Sequence, residues 1–335
     1  MDNATIAAST PATNGNGHAN GHGHAANGNG HRVAMLADKI AQLKRERNAV
    51  ILAHNYQEPA IQDIADYLGD SLNLARWAMT TKAEVIVFCG VHFMAETAAM
   101  LNPEKTVLIP DLEAGCALAD MVAAKQVRDW KAAHPAGVVV CYINTSAAVK
   151  AECDYCCTSS NAVKVVEHIP ADKEILFVPD YYLGSWVKQR TKRNIHLWKG
   201  YCPTHAVISP ERIDALRDAH PEAEFLMHPE CGCLTKQMDL ADQILSTEGM
   251  VKYVNSSPAK EFIIATENNI LHRMRKDNPD KLFMPASEHA TCHYMQRNTI
   301  EKVFWSLVNM RHQVTVDPAV AKRAVVPIER MLAIP

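Results

Sequence analysis

Three cysteines spaced far apart along the chain could together bind a metal ion or an iron–sulfur cluster. Cys116, Cys202 and Cys292 recur at intervals of 86 and 90 residues, and each follows a short apolar segment. A four-iron cluster held by only three thiolates keeps one iron without a protein ligand, which is the open coordination that Lewis-acid catalysis needs. The alternative is that the three are unrelated thiols of the hydrophobic core.

The other cysteines show no pattern typical of a metal site. Cys153 and Cys156 form one C-x-x-C pair, but no second pair follows at zinc-finger spacing. Cys231 and Cys233 lie too close in sequence for ordinary joint ligation of one metal ion, and the compact cysteine run of bacterial ferredoxins is absent. We therefore expect these four thiols to pack in the core or near the site.

Nine polar side chains follow predicted strands or open predicted helices, where they could bind or protonate a small anionic substrate. They are His54, Tyr56, Ser71, Tyr142, Asn144, Ser159, His228, Glu230 and Thr247. Taken singly, the serines and the threonine would be helix N-caps, the histidines hydrogen-bonded structural residues and the tyrosines amphipathic core residues. Ligands of open α/β sheets bind at the carboxyl ends of the strands, so the shared placement favours one common site.

The elements that would position these residues alternate between short apolar strands and longer amphipathic helices. Predicted strands span Ala49–Ala53, Val85–Cys89, Val107–Ile109, Val138–Ile143, Ile175–Val178, Ile195–Trp198, Glu224–Met227, Val251–Val254, Phe262–Ala265 and Leu282–Met284. Predicted helices include Ile61–Thr80, Asp120–Ala133, Pro210–Ala219 and Leu234–Leu245. Uninterrupted apolar strands separated by helices indicate parallel sheets covered on both faces, so the predicted fold class is α/β.

The strands fall into three successive sets, each ending near one of the three widely spaced cysteines. We expect α/β domains over residues 33–115, 116–201 and 202–291, followed by a C-terminal helical segment, 292–335, that packs back on them. Residues 1–31, rich in Asn, Gly and His, should form a disordered tail because they can bury too little apolar surface. A passive extension is favoured over loose metal binding by the tail's histidines.

Composition and missing motifs argue against several functional classes. The 335 residues carry a net charge of −3, without the basic surplus of a nucleic-acid binder. No stretch approaches the roughly 18 apolar residues of a membrane span, and no export or transit signal is recognisable. The predicted compartment is the reducing cytoplasm, where disulfides are rare. The usual dinucleotide-binding, P-loop and serine-hydrolase motifs are absent.

Ordered motifs make residues 33–335 resemble the quinolinate synthase (quinolinate synthetase A) family. They are AHNYQ (Ala53–Gln57), GDSLNLA (Gly69–Ala75), CYINTSA (Cys141–Ala147), CTSSNAVKVV (Cys157–Val166), KGYCPTHA (Lys199–Ala206), HPEC (His228–Cys231) and ATE (Ala265–Glu267). The resemblance implies three pseudo-threefold-related α/β/α three-layer domains with short parallel sheets and an active site at their junction. It implies condensation of iminoaspartate with dihydroxyacetone phosphate to quinolinate, phosphate and two waters in NAD biosynthesis, and functional coupling to an L-aspartate oxidase.

The same resemblance assigns roles to individual residues. It makes Cys116, Cys202 and Cys292 the ligands of one [4Fe–4S] cluster with one open iron. It assigns substrate binding to His54, Ser71, Tyr142, Asn144, Ser159, His228, Glu230 and Thr247, and catalysis to Tyr56. On chemical grounds we further expect Tyr142, His228 and Glu230 to take part in catalysis: Glu230 with His228 as proton shuttle, Tyr56 and Tyr142 as acids.

Two alternatives to this reading stay open at the level of sequence. The same three thiolates could bind a single zinc or iron ion in a hydrolase, or an iron–sulfur cluster in a redox sensor without turnover. The dense set of His, Tyr, Ser and Glu residues favours an enzyme over a sensor. Some relatives carry an extra cysteine pair just before the third ligand; here Glu288–Thr291 occupies that stretch, so a disulfide switch there is not expected.

Overall fold

A computed structural model describes residues 23–234 and 238–334, and within them twelve strands form three four-stranded sheets. The strands are β1 (Ala49–His54), β2 (Tyr67–Gly69), β3 (Val85–Cys89), β4 (Thr106–Leu108), β5 (Val138–Tyr142), β6 (Tyr155–Cys157), β7 (Ile175–Val178), β8 (Ile195–Leu197), β9 (Glu224–Met227), β10 (Gln243–Ile244), β11 (Glu261–Ala265) and β12 (Leu282–Pro285). The orders are β2-β1-β3-β4, β6-β5-β7-β8 and β10-β9-β11-β12, and all neighbouring pairs are parallel. The predicted α/β class with three short parallel sheets is confirmed.

Helices connect and cover the strands. They are α1 (Gly23–Glu46), α2 (Pro59–Ile64), α3 (Ser71–Thr80), α4 (His92–Leu101), α5 (Ala124–Ala133), α6 (Ala147–Lys150), α7 (Ala162–His168), α8 (Tyr181–Thr191), α9 (Pro203–Ala206), α10 (Pro210–Ala219), α11 (Thr247–Ser256), α12 (Ile270–Asp277), α13 (Ile300–Asn309) and α14 (Pro318–Ala333). Every residue of β3 and β7 is buried, as expected for parallel strands with helices on both faces. We call each sheet with its flanking helices a unit.

The prediction of two long helices was wrong in the same way in the first and third units. Within Ile61–Thr80 the chain forms α2, then the edge strand β2, and only then α3. Within Leu234–Leu245 the described residues form a short 3-10 turn, Met238–Leu240, followed by the edge strand β10. A third edge strand, β6, was also missed. Edge strands of two or three residues are too short to show a period in the sequence.

The predicted strand Val251–Val254 was also wrong, because this segment lies inside α11. Ser246 caps the helix by accepting a hydrogen bond from the Gly249 N–H. Met250, Val251 and Val254 are all buried, at the i, i+1 and i+4 spacing of one helical face. A four-residue apolar run does not by itself distinguish a strand from a helix, whereas the serine cap marks the helix start.

Helices at both ends of the described chain pack back on the units. α1 and α13 pack together in one apolar cluster that includes Ile40 and Leu307, while α14 buries Ile328 and Met331 in the main core. α1 begins at Gly23 and so includes residues 23–31 of the predicted tail; residues 1–22 lie outside the described part. Each sheet lies within one of the predicted domain spans. No helix among the described residues is long and apolar enough to cross a membrane.

Candidate active site

The first strand of each sheet ends beside a pair of polar residues separated by one position. The pairs are His54 and Tyr56 at β1, Tyr142 and Asn144 at β5, and His228 and Glu230 at β9. The second residue of each pair lies in the turn or bend that follows the strand, and parallel strands all end at one edge of the sheet. Each unit therefore presents two polar side chains from an equivalent point.

In each unit, the strands that come second and fourth along the chain are each followed by one predicted site residue. Ser71, Ser159 and Thr247 closely follow the edge strands β2, β6 and β10. The three widely spaced cysteines, Cys116, Cys202 and Cys292, follow the fourth strands β4, β8 and β12. The regular cysteine spacing in the sequence is thus one visible part of a threefold repetition that involves every predicted site residue.

All of the predicted site residues line one cavity. Its wall also contains residues for which the sequence suggested no role, namely Asp70, Thr158, Thr204, His205, Glu267, Tyr294 and Met295. The structure therefore brings together residues from all three units that lie more than two hundred positions apart in the chain, such as His54 and Cys292. Parallel sheets with their carboxyl ends facing a common centre account for this convergence.

Two histidines of the cavity are neutral and share one tautomer. Burial, with a contribution from His205, lowers the pKa of His54 to about 3, and burial lowers the pKa of His228 well below its usual value. The backbone N–H groups of Tyr56 and Glu230 donate to the Nδ1 atoms of His54 and His228, at 3.1 and 3.3 Å. Because Nδ1 accepts in each neutral ring, each proton is on Nε2. The His228 Nε2–H donates to Ser159 Oγ at 3.2 Å.

Glu230 is a buried carboxyl group between two histidines. Its Oε2 lies 3.4 Å from His228 Nδ1 and 3.5 Å from Nδ1 of His205, and the two imidazole rings stack with centroids 4.9 Å apart. Burial, followed by the nearby charge of Asp180, raises the pKa of Glu230 well above its usual value. Burial therefore favours the protonated form of the side chain, which can donate a proton into the cavity.

A chain of hydroxyl and imidazole groups connects Tyr56 to His205. The Tyr56 hydroxyl lies 2.5 Å from Thr266 Oγ1, which lies 3.0 Å from His205 Nε2. Burial raises the pKa of Tyr56 and of Tyr142 well above the usual value, so both remain phenols. Sequence reasoning missed His205 and Thr266, and the only signal for them was their position inside the KGYCPTHA and ATE motifs.

Each of the three cysteines at the cavity stands just before a helical turn whose N–H groups point at its sulfur. Backbone N–H groups donate to Cys116 from Ala119 and Leu118, to Cys202 from His205, and to Cys292 from Met295 and Tyr294. Such donors stabilise a metal-bound thiolate. Burial raises the pKa of the three thiols, to about 12 for Cys116. A metal or cluster would therefore displace their protons when it binds.

Several buried polar atoms at the cavity lack a hydrogen-bond partner among the described residues. They are Asn144 Oδ1, Glu230 Oε1 and His205 Nδ1. Leaving such atoms unpaired costs about 1–3 kcal/mol each, and they persist in native proteins where a ligand, ion or water completes them. The geometry therefore provides neutral donors, a protonated acid and unpaired acceptors in one enclosed place that suits a small polar substrate.

Outside the cavity, the remaining cysteines pack in the core, as expected, but one pair is not free. A disulfide joins Cys231 and Cys233, directly after Glu230. We expected both residues as thiols in the core or near the site; both are buried, but they form a disulfide instead of remaining thiols. The sulfur atoms of Cys141 and Cys156 lie 3.3 Å apart because these residues are partners on β5 and β6.

Comparison with known proteins gives consistent matches over almost the whole described chain. The family model described as "Quinolinate synthetase A protein" matches residues 38–333. A quinolinate synthase of Thermus thermophilus is 56% identical over 305 residues, covering 90% of this chain and 98% of that protein. Those of Pyrobaculum aerophilum (53% over 303 residues; 89% and 99% covered) and Methanosarcina barkeri (50% over 301 residues; 90% and 98% covered) are similar as well.

Proposed function

The chain belongs to the quinolinate synthetase A family and is an enzyme, and from that premise we propose that it makes quinolinate for NAD biosynthesis. The proposed substrates are iminoaspartate and dihydroxyacetone phosphate. Their condensation forms the pyridine ring and releases one phosphate and two waters. One observation carries the proposal: three cysteines and nine polar residues from three units converge on one cavity.

We propose that Cys116, Cys202 and Cys292 hold one [4Fe–4S] cluster in this cavity. The donor set fits, since three thiols from different units line the same wall and each accepts backbone N–H groups. When bound, the cluster would supply a Lewis acid at its one iron without a protein ligand. The donor groups described above line the same cavity as these cysteines.

The spacing of the three thiols supports a cluster over a single metal ion. Three thiolates on one zinc ion would have sulfur atoms about 3.8 Å apart, given tetrahedral geometry and Zn–S bonds of about 2.3 Å. Among the described residues, His205, His228 and Glu230 each have a potential ligand atom within 4.8 Å of the other two. The sulfur atoms of the three cysteines do not come that close to one another. A mononuclear hydrolase that uses the same cysteines is therefore the weaker alternative.

The polar residues of the cavity account for binding and proton transfer. His54 and His228 carry their protons on Nε2, and Ser71, Ser159 and Thr247 add hydroxyl donors. Such neutral donors bind carboxylate or phosphate oxygens without the cost of burying cations. Glu230 begins as a protonated acid and can return as a base, which is the role that enolisation and aromatisation require. Tyr56 and Tyr142 can protonate leaving oxygens because both are phenols.

The proposal also names a partner enzyme and a cellular compartment. Iminoaspartate hydrolyses readily in water, so a nearby L-aspartate oxidase that generates it is the proposed functional partner. The proposed compartment is the cytoplasm, where a reducing environment keeps the three ligand cysteines as thiols. A redox sensor without turnover would have no use for the unpaired acceptors and the buried acid at the cavity, and it is the second alternative to be tested.

An anaerobic assay of the purified protein with both substrates tests this proposal. We expect quinolinate formation together with about four irons and four sulfides per chain. Cys202→Ser should lose both the iron–sulfur absorbance and turnover. Cys153→Ser is the matched control, because Cys153 lies outside the cavity and serine retains the hydrogen bond to the Val149 carbonyl. One zinc and no sulfide would indicate the hydrolase, and a cluster without turnover would indicate the sensor.

A further inference from the structure

We propose that Arg273 is a positioning residue that locks the first and third units together at the cavity and thereby sets the affinity for the anionic substrates. The inference rests on the proposed function of the same cavity. Arg273 lies on α12 in the third unit and does not line the cavity itself. It acts through two partners that stand next to residues of the cavity wall.

The guanidinium group of Arg273 binds one partner from each unit. Its Nη1 lies 2.9 Å from Asn55 Oδ1 in the first unit and 2.9 Å from Glu248 Oε2 in the third. The same nitrogen approaches the Leu68 carbonyl at 3.5 Å, and Nε lies 3.8 Å from Asp277. The Arg273 side chain is only 21% exposed, so solvent screens these contacts weakly.

Both partners are direct chain neighbours of site residues. Asn55 is fully buried between His54 and Tyr56, and its Nδ2 donates to Thr247 Oγ1 at 3.4 Å. Glu248 follows Thr247 in α11. A shift of Arg273 would therefore move the β1 end and the start of α11 relative to each other. Three proposed site residues from two units, His54, Tyr56 and Thr247, depend on that relationship.

Arg273 also balances negative charge beside a cavity that is proposed to bind anions. The Glu248 side chain is only 11% exposed, and its carboxylate lies near Asp70, which lines the cavity. If the guanidinium were removed, the Glu248 charge would be left uncompensated and would repel an incoming phosphate or carboxylate. Positioning and charge balance thus act in the same direction, toward tighter substrate binding.

Two further hydrogen bonds between these units end on backbone carbonyl groups and do not involve Arg273. Gln62 donates to the Asn269 carbonyl at 2.8 Å, and the Asn269 side chain donates to the Tyr56 carbonyl at 3.3 Å. They keep the units in contact when Arg273 is changed, so an Arg273 variant should fold. The expected effect is therefore on substrate binding more than on the presence of the fold.

Steady-state kinetics of the iron-loaded enzyme test the inference. Arg273→Gln should raise KM for at least one of the two substrates about tenfold, equivalent to about 1.4 kcal/mol, with kcat changed by less than about threefold. Arg273→Lys should recover part of the loss, because it restores the charge but carries it on a shorter side chain without the nitrogen, Nη1, that contacts both Asn55 and Glu248. Arg275→Gln is the control, since Arg275 lies on the same helix and contacts the Phe283 carbonyl instead.

A second measurement, amide hydrogen exchange, tests the positioning role of Arg273 without relying on enzyme turnover. In Arg273→Gln, amide hydrogen exchange should accelerate in peptides covering residues 54–57 and 246–249, and it should stay unchanged there in Arg275→Gln. Adding Glu248→Gln to Arg273→Gln should bring KM part of the way back by removing the uncompensated charge. Unchanged KM values and unchanged exchange in Arg273→Gln would overturn the inference, as would a loss confined to kcat. If the unmodified enzyme makes no quinolinate, the proposed function is wrong. The hydrogen-exchange comparison of Arg273→Gln with Arg275→Gln still tests the positioning role of Arg273 in that case.

Discussion

Burial controls the protonation state of individual residues at the cavity. It leaves His54 and His228 as neutral donors, and it keeps Glu230 as an acid at a pH where an exposed glutamate would be ionised. These are the states that bind anions and deliver protons. None of them follows from residue type alone, because an exposed His or Glu has a different dominant form at neutral pH.

At this scale, the proton-transfer role of Glu230 can be tested directly. Glu230→Gln keeps the size and polarity of the protonated acid but cannot release a proton. We expect kcat to fall about 10²- to 10⁴-fold, with the fold and cluster content retained. Glu288→Gln is the control because that side chain is exposed and lies outside the cavity. If Glu230→Gln retained kcat within tenfold, the proposed proton shuttle would be wrong.

Short elements determine where the site residues point. The three cysteines precede helical turns, and Ser71 and Thr247 open α3 and α11, which Asp70 and Ser246 cap. Between units, α2 and α12 are joined by Asp63, whose Oδ1 lies 3.0 Å from His272 Nε2 and 2.7 Å from Lys276 Nζ. Although partial burial opposes it, hydrogen bonds from Lys276 and then His272 lower the pKa of Asp63.

This contact predicts a pH dependence of stability at the interface of α2 and α12. Because the folded-state pKa of Asp63 is lowered, its stabilisation is present above the ordinary value of 3.8 and is lost as the pH falls through the folded-state value. Asp63→Asn should therefore lower the free energy of unfolding by less than about 1 kcal/mol at pH 7, and the difference should shrink as the pH falls below 3.8.

Denaturant unfolding of the iron-free protein at several pH values measures this difference without interference from cluster loss. Asp129→Asn is the matched control, because Asp129 pairs with Lys125 inside α5 and joins no units. A difference between the unmodified protein and Asp63→Asn that grows on acidification would contradict the assignment.

For the whole molecule, the central fact is that no single unit contains the site. Each unit supplies a polar pair, a hydroxyl and a cysteine, and the cavity exists only where the three meet. A ligand held by all three cysteines would therefore bind the assembled protein and not the separated units. By mass action, such a ligand stabilises the arrangement that binds it.

Removal of iron should consequently lower the stability of the entire chain. We expect anaerobic chelation to lower the midpoint of thermal unfolding by about 5 °C or more. Each kcal/mol of stabilisation by a bound ligand raises the midpoint of a chain of this size by about 2–4 °C. Cys202→Ser, already without the cluster, should show no such change with chelator. Equal midpoints for loaded and iron-free protein would argue against a ligand that bridges the three units.

The α/β class, the three sets of apolar strands and the candidate site residues were all predicted from the sequence. These follow from local chemistry: apolar runs, caps and motif residues are readable one segment at a time. The edge strands β2, β6 and β10 could not be predicted, because each has only two or three residues. Such short strands are stabilised by their neighbours in the sheet and show no period in the sequence.

How these residues act together depends on the packing of the three units. It placed His205 and Thr266 beside Tyr56 and Glu230, paired Arg273 with Asn55 of another unit, and joined Cys231 to Cys233. It also set the charge of the buried acid and of the imidazoles. The physical reason is the same in each case: distance through space and exclusion of water depend on how the three units pack, and no short stretch of sequence contains that information.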